Sequence, residues 1–326
     1  MLLVKFLSLI CVFFASHLAA LEWQMPLSQG SANFQTQLAI EFTKQVQKST
    51  HNRLKIIAHK DGRLYKGEQI FGAVKNNLTP IGVRLMSALD HEDILLQLDA
   101  LPFLAKNYRE AFNLYKVSRA EVERILEIKG VKLLYAVPYP AQGLYSRTQI
   151  ESLDDLIDKR FRPYSKATQT LGDKLGMRAQ IVPLDKLEKQ FKKKRIDVLF
   201  GSPLASASLG LSRYFPYWYE IKAWLPKSMM VVNLKVWNKL SEADQKTVLT
   251  AARKIEGQGW GMSKKVSERA KQRLVDEGVT VAAFDPALQR QLEVVGLSIV
   301  QLWLQNIGDK GRYIIERYLL LNKQGK

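Results

Sequence analysis

The apolar and polar positions along the chain divide it into short strands and amphipathic helices. Leu21 to Met25 reads as a first strand. Between Phe34 and Gln47, Leu38, Phe42 and Val46 recur every four residues, which predicts a helix with one buried face. Leu54 to Ala58 is a compact strand, Asp61-Gly62 a turn, Glu68 to Asn76 a helix and Ile81 to Met86 a strand. Strands and helices in alternation predict an α/β domain with a largely parallel sheet. Leu101 to Leu104 forms a loop. Asn107 to Ile128 is helical, with Ala111, Leu114 and Val117 on one face, and Val131 to Val137 is an apolar strand.

The second half repeats the alternation. Thr168 to Leu175 and Asp185 to Lys194 read as helices, and Ala179 to Val182 and Ile196 to Phe200 as strands. The basic run Lys192 to Arg195 lacks the aromatic residues of a nucleic-acid surface and reads as a solvated helix end. Trp218 to Trp224 is dense in aromatic residues, which fit a core or a ligand wall. Ser241 opens a long helix, with Asp244 placed as a capping-box acid. It runs to about Glu277, interrupted at Gly257, Gly259 and Gly261, and is long enough to brace two domains. Asp285-Pro286 starts a last helix that carries Leu288, Leu292, Val295, Ile299 and Leu302 on one face.

Composition narrows the setting. The 326 residues are 47% hydrophobic and 25% charged, an ordinary globular balance for about two domains. Residues 1–20 read as a secretory leader. Lys5 precedes the apolar run Phe6 to Ser16, which is short for a bilayer span, and Ala19-Ala20 offers a cleavage site. Cys11, the one cysteine, leaves with that leader, so no disulfide, thiolate metal site or cysteine nucleophile is expected. The net charge of +18, or +17 without Lys5, favours anionic partners. Export makes nucleic acid a poor partner.

The stretch Pro138 to Tyr164 holds the candidate chemistry. Arg162 ends a short apolar strand just before Pro163, where its fork of donors suits a carboxylate. Gln142 and Tyr145 lie close to it in sequence. A surface arginine on a basic protein is the plainer reading, and the residues alone leave both open. Ser202 follows the strand Ile196 to Phe200, where open α/β folds place their ligands, or it is a turn serine. His51, His59 and His91 lack metal-ligand spacing, and His91-Glu92-Asp93 reads as a polar loop. There is no phosphate-cradling glycine loop and no G-x-S-x-G elbow, so no catalytic residue, cofactor or metal is assigned.

The order of these segments resembles the solute-binding proteins of tripartite ATP-independent periplasmic (TRAP) transporters, the DctP-like family. The first half carries RLKIIAHKDGRLYKGEQI, LDALPFLAKNYREAFNLY and KGVKLLYAVPYPAQGLYS. The second carries SLDDL, FRPYSKATQTLGDKLG, EIKAWLPKSMMVVNLKVW and KLSEADQKTVLTAA. Each is a weak pattern, but their order and spacing hold from Arg53 to Ala252.

The resemblance implies an α/β, two-domain periplasmic solute-binding protein fold with crossing strands and a long bracing helix. Domain I would comprise residues 21–140 and 228–265, and domain II residues 141–227 and 266–326. It implies a periplasmic, non-enzymatic monomer that closes on a small organic acid and delivers it to the membrane subunits of a TRAP permease. Arg162 would pair with the ligand carboxylate. Gln142 stands where many members carry a second arginine, which implies a monocarboxylate. The polar residue after the next strand maps to Ser202 and the asparagine of the VVN pattern to Asn233. Tyr145, Tyr164 and Trp224 would form an aromatic wall, favouring an aromatic or branched acid. The chain departs from the pattern at Asp158 and Lys194, where glycines are usual, and at Val83, where an acidic residue is usual. Three other functions stay open on sequence: a module feeding a sensor kinase, a periplasmic hydrolase, and a charge-driven binder of anionic envelope polymers.

Overall fold

The computed structural model describes residues 20–182 and 186–324. All of the expected leader but Ala20 lies outside the described residues. In chain order the elements are β1 (Leu21–Pro26), α1 (Phe34–Ser49), β2 (Leu54–His59), α2 (Ile70–Lys75), β3 (Ile81–Leu85), α3 (Tyr108–Ile128) and β4 (Val131–Pro138). Next come β5 (Gly143–Ser146), β6 (Arg160–Phe161), α4 (Lys166–Lys174), β7 (Arg178–Ala179), α5 (Leu187–Lys192), β8 (Val198–Gly201), α6 (Leu204–Leu209) and β9 (Tyr217–Tyr219). The chain then returns through β10 (Lys227–Asn233), α7 (Leu234–Trp237), α8 (Glu242–Asp276), β11 (Thr280–Ala282), α9 (Pro286–Ile307) and α10 (Asp309–Gln324).

The first lobe is built as its apolar pattern predicts. Asn33 caps α1 by accepting the amides of Gln35 and Thr36, and Leu38, Phe42 and Val46 are buried along one face. β1 and β2 pair in parallel. β10, however, runs antiparallel to both β3 and β4, so the three-stranded sheet β3-β10-β4 is antiparallel throughout and the lobe is not built on one largely parallel sheet. The reason is its route. It enters from the second lobe, at the end where β4 leaves, and so runs against its neighbours. The second lobe holds a six-stranded sheet in the order β11-β9-β5-β8-β6-β7, with β6 parallel to β7 and β8.

Two extended segments cross between the lobes side by side, and they are bonded to each other. Residues 139–142 lead out of β4, and residues 223–226 lead back into β10. The amide of Tyr139 donates to Pro226 O at 2.7 Å, that of Gln142 to Trp224 O at 2.8 Å, and that of Ala223 to Gln142 O at 2.9 Å.

α8 spans both lobes without a break. It packs on α1 and β4 at one end and on α6 and β11 at the other. Its 35 residues make a rod about 50 Å long. The expected interruption at its glycines is absent, and Gly259 serves a close approach instead. A Cβ there would lie 2.5 Å from Val137 Cγ2.

The carboxyl-terminal segment does not stay in the second lobe, as a boundary at 266–326 would require. Leu288, Leu292 and Ile299 of α9 pack with Phe161, Leu171 and Trp224. Trp303, Ile314, Ile315 and Tyr318 pack instead with Leu114 and Ile125 of α3. α10 therefore closes the first lobe, and the Tyr318 hydroxyl donates to Leu104 O at 2.6 Å. Among the described residues no helix is long and apolar enough to cross a membrane.

Candidate ligand-binding site

The strand register shows which ends of the sheets face the crossing segments. Leu85 at the end of β3 lies opposite Ser228 at the start of β10, just after the return crossing. Gly143, just after the outward crossing, lies opposite Gly201 at the end of β8. β6 runs parallel to β8 and ends on the same side. Carboxyl ends of strands from both lobes therefore meet at the hinge, where open α/β folds take their ligands.

Arg162 leaves β6 at that end. Its side chain is half-buried, and its Nε reaches only Val182 O, at 3.5 Å. Among the described residues no carboxylate pairs with it. Burial lowers its guanidinium pKa from the ordinary value, and nearby Tyr164 opposes the shift.

Arg162 is positioned by the residues before it. Arg160 grips Asp197 with Nε to Oδ2 at 2.7 Å and Nη2 to Oδ1 at 2.6 Å, while its amide donates to Oδ2 at 3.0 Å. Burial alone would raise the Asp197 pKa, but these bonds and the arginine charge hold it below the usual range. Phe161 points the other way, fully buried and edge-on to Phe200 at 5.4 Å. This two-residue alternation puts Arg160 and Arg162 on one side of the strand.

Tyr164, Trp224 and Gln142 form a bonded chain beside Arg162. Trp224 Nε1 donates to the Tyr164 hydroxyl at 2.7 Å, with the rings 6.4 Å apart. Burial pushes the Tyr164 hydroxyl pKa up, with the Trp224 bond opposing. Gln142 bonds Trp224 through the backbone, and its Nε2 donates to Pro140 O at 2.9 Å.

Other expected site residues are placed differently. Ser202 does follow β8 at the hinge end and is buried. Tyr145, however, has no exposed surface and packs on Phe215 and Trp218. Its hydroxyl donates to Ser202 O at 3.0 Å, so it braces the turn from beneath and is no part of an exposed wall. Asn233 lies at the far end of β10, away from the hinge. Its Oδ1 accepts the amides of Lys235 and Val236 and its Nδ2 donates to Val74 O, so it is spent as the cap of α7. A polar residue just before Leu-Lys-Val-Trp signalled that cap in the sequence.

The structure adds residues that the sequence reading missed. Arg84, on β3 opposite Met229, is half-buried, and its Nε is buried without a hydrogen-bond partner. Burial lowers its guanidinium pKa, and Glu68 opposes this from beyond ion-pair range. The signal was a lone arginine inside the apolar run Ile81 to Met86. Asp99 and Lys227 form a buried pair at the return crossing. The Lys227 amide donates to Asp99 Oδ2 at 2.6 Å, and Nζ lies 3.5 Å from the same oxygen. Burial pushes the Asp99 carboxyl up and the Lys227 amine down, each opposed by the other's charge.

Residues 28–302 match the bacterial extracellular solute-binding proteins, family 7. The chain belongs to this family. The family 7 fold is shared with a Bordetella pertussis extracytoplasmic solute receptor, DctP7, that binds pyroglutamic acid. The two are 29% identical with a TM-score of 0.89, over 92% of this chain and 99% of that one. A marine metagenome TRAP solute-binding protein specific for pyroglutamate is 28% identical, with a TM-score of 0.88 over 92% and 98%. An uncharacterised Haemophilus influenzae protein is 22% identical over 239 residues, 73% of each chain. Proteins of this family are extracytoplasmic and serve transport, binding small acids for delivery to a membrane permease. Two of the chain's departures from the family pattern now have a backbone meaning. Asp158 and Lys194 adopt φ of 60° and 51°, the left-handed region that glycine occupies without strain.

Proposed function

We propose that this family 7 protein captures a small organic acid between its lobes and carries it to a TRAP-type permease. The reading rests on one observation: Arg162 holds a half-buried guanidinium at the hinge end of β6 with no carboxylate partner among the described residues. Desolvating a charge is costly unless something pairs with it, and a ligand carboxylate supplies that pair. Tyr164 and Trp224 flank the anchor, while Gln142 and Ser202 supply neutral polar groups beside it. The lobes would close by rotation about residues 139–142 and 223–226, as periplasmic binding proteins do. Relatives that bind pyroglutamate support an acid of about that size with a ring or branch against the aromatic pair. We place the working protein outside the cytoplasm, as a monomer freed of its leader.

The test is a thermal-shift screen of the chain from Leu21 onward against small organic acids, pyroglutamate included. A ligand that binds only the folded state raises the melting temperature. Stabilisation by one class of acid, lost in Arg162→Ala, is the expected result. Stabilisation by none, with retention on anionic vesicles that added salt abolishes, would favour the charge-driven binder instead.

A further inference from the structure

We infer that the groove between α1 and α8 is a docking surface for the anionic headgroups of a lipid bilayer. This goes beyond the proposed function and does not depend on Arg162.

The surface follows from helix periodicity. On α8, Lys246, Lys254, Lys265 and Arg269 are separated by eight, eleven and four residues, which keeps them on one side of the rod. On α1, Lys44 and Lys48 stand four apart, one turn above the other. The two helices pack together, and these six cations line two adjoining depressions that share Glu41. All six are exposed. From Lys246 to Arg269 the surface runs about 35 Å along the helix.

The charge on this surface is uncompensated. Several exposed cations elsewhere are matched, such as Arg53 with Asp244, Arg124 with Glu121 and Lys192 with Glu188. Among the described residues, none of the six makes an ion pair. Glu41, the carboxylate between the helices, accepts a bond from Gln45 Nε2 at 3.1 Å. Glu268, on the same side of α8, is held by Lys271 at 3.0 Å. A row of like charges without counter-charges attracts an extended anion.

The residue types point to a fluid lipid surface. Five of the six cations are lysines, which are mobile point charges, whereas fixed bidentate recognition takes arginine. A protein partner would need an aromatic or aliphatic anchor in the middle of its interface. The lining has no aromatic residue and none of the exposed large hydrophobic side chains. For the same reason the surface would rest on headgroups and not enter the acyl layer. Each cation close to such a membrane strengthens adsorption roughly fivefold. Adsorption would keep the protein on the membrane that carries its permease, so that the two meet by diffusion in a plane.

Flotation with vesicles tests this, using phosphatidylcholine alone or equal parts phosphatidylcholine and phosphatidylglycerol. The chain from Leu21 onward should bind the mixed vesicles at low salt, ignore the neutral ones and be released as salt is added. Lys246→Gln with Lys254→Gln should weaken binding about 25-fold, fivefold for each cation. Lys189→Gln with Lys193→Gln removes the same charge from the exposed end of α5 and should lose far less. Melting curves show whether both double variants are folded, and Lys44→Gln with Lys48→Gln tests the groove again from α1. No binding to mixed vesicles, equal binding to neutral ones, or equal losses in the groove and α5 variants overturns the proposal. Acids that stabilise the wild-type chain should stabilise the groove variants equally, so failure of the Arg162 reading shows in a different assay from failure of this one.

Discussion

The indole of Trp224 donates to the hydroxyl of Tyr164 at 2.7 Å, across 60 residues of sequence. Trp224 belongs to the return crossing and Tyr164 follows Arg162 by two positions, so this bond ties the hinge to the proposed anion anchor. Tyr164→Phe leaves the indole N–H without its acceptor and should cost about 1–3 kcal/mol. Combined with Trp224→Phe in a double-mutant cycle, it should give a coupling of about 0.5–3 kcal/mol. Urea midpoints measure both, and a coupling of zero would mean that the bond holds nothing.

The glycines of α8 should respond to alanine in opposite directions. Gly257 and Gly261 have nothing within 4 Å of a would-be Cβ, so alanine should stabilise the helix by up to about 1 kcal/mol at each. At Gly259 the added carbon meets Val137 at 2.5 Å and Leu38 at 3.0 Å. There alanine should cost about 1–3 kcal/mol despite its better helix propensity. Thermal unfolding of the three single variants checks the signs.

The left-handed residues that replace family glycines make another pair. Lys194→Gly relieves a φ of 51° on a mostly solvated side chain and should stabilise by about 1 kcal/mol. Asp158→Gly relieves a φ of 60° but loses the 2.8 Å contact to Arg178. That pair is more than half exposed, so the contact offsets only part of the gain. Denaturant midpoints should rise for Lys194→Gly and rise less for Asp158→Gly.

These cases show what was legible in the sequence. Local pattern carried α1, α3, β4 and the place of Arg162 at the end of a short strand, because those depend on neighbours a few residues away. The antiparallel pairing of β10 was not legible, since strand direction follows from the route between lobes and not from local pattern. α10 was misplaced for the same reason, as Ile314 and Tyr318 give no sign of which apolar face they cover. Asn233 and Tyr145 were polar groups beside the right motifs whose bonding capacity is spent inside the protein. Arg84 was passed over because its unpartnered Nε shows only in three dimensions.

Acid should unfold the protein through its paired carboxylates. Asp197 is held below its ordinary pKa by Arg160 against the pull of burial, and Asp244 by Arg53. Hydrogen bonding from Arg124 takes Glu121 down to about 2. A depressed folded pKa means stability that is present above the unfolded value, about 4 for these groups, and lost as pH falls through the folded one. Asp99 has the opposite sign, since burial raises its pKa and protonation relieves the folded state. Melting temperature should be nearly flat between about pH 5 and 7 and fall steeply below about pH 4. Asp197→Asn should flatten part of that fall.

The most direct test of the account is calorimetric titration of Arg162→Ala with whichever acid stabilises the wild-type chain. A lost charge-assisted contact of about 1.5–3 kcal/mol predicts affinity weaker by at least about tenfold. The melting temperature without ligand should stay near that of the wild type, because Arg162 bonds only Val182 O at 3.5 Å among the described residues. Undiminished affinity in the folded variant would contradict the assignment of Arg162 as the anchor.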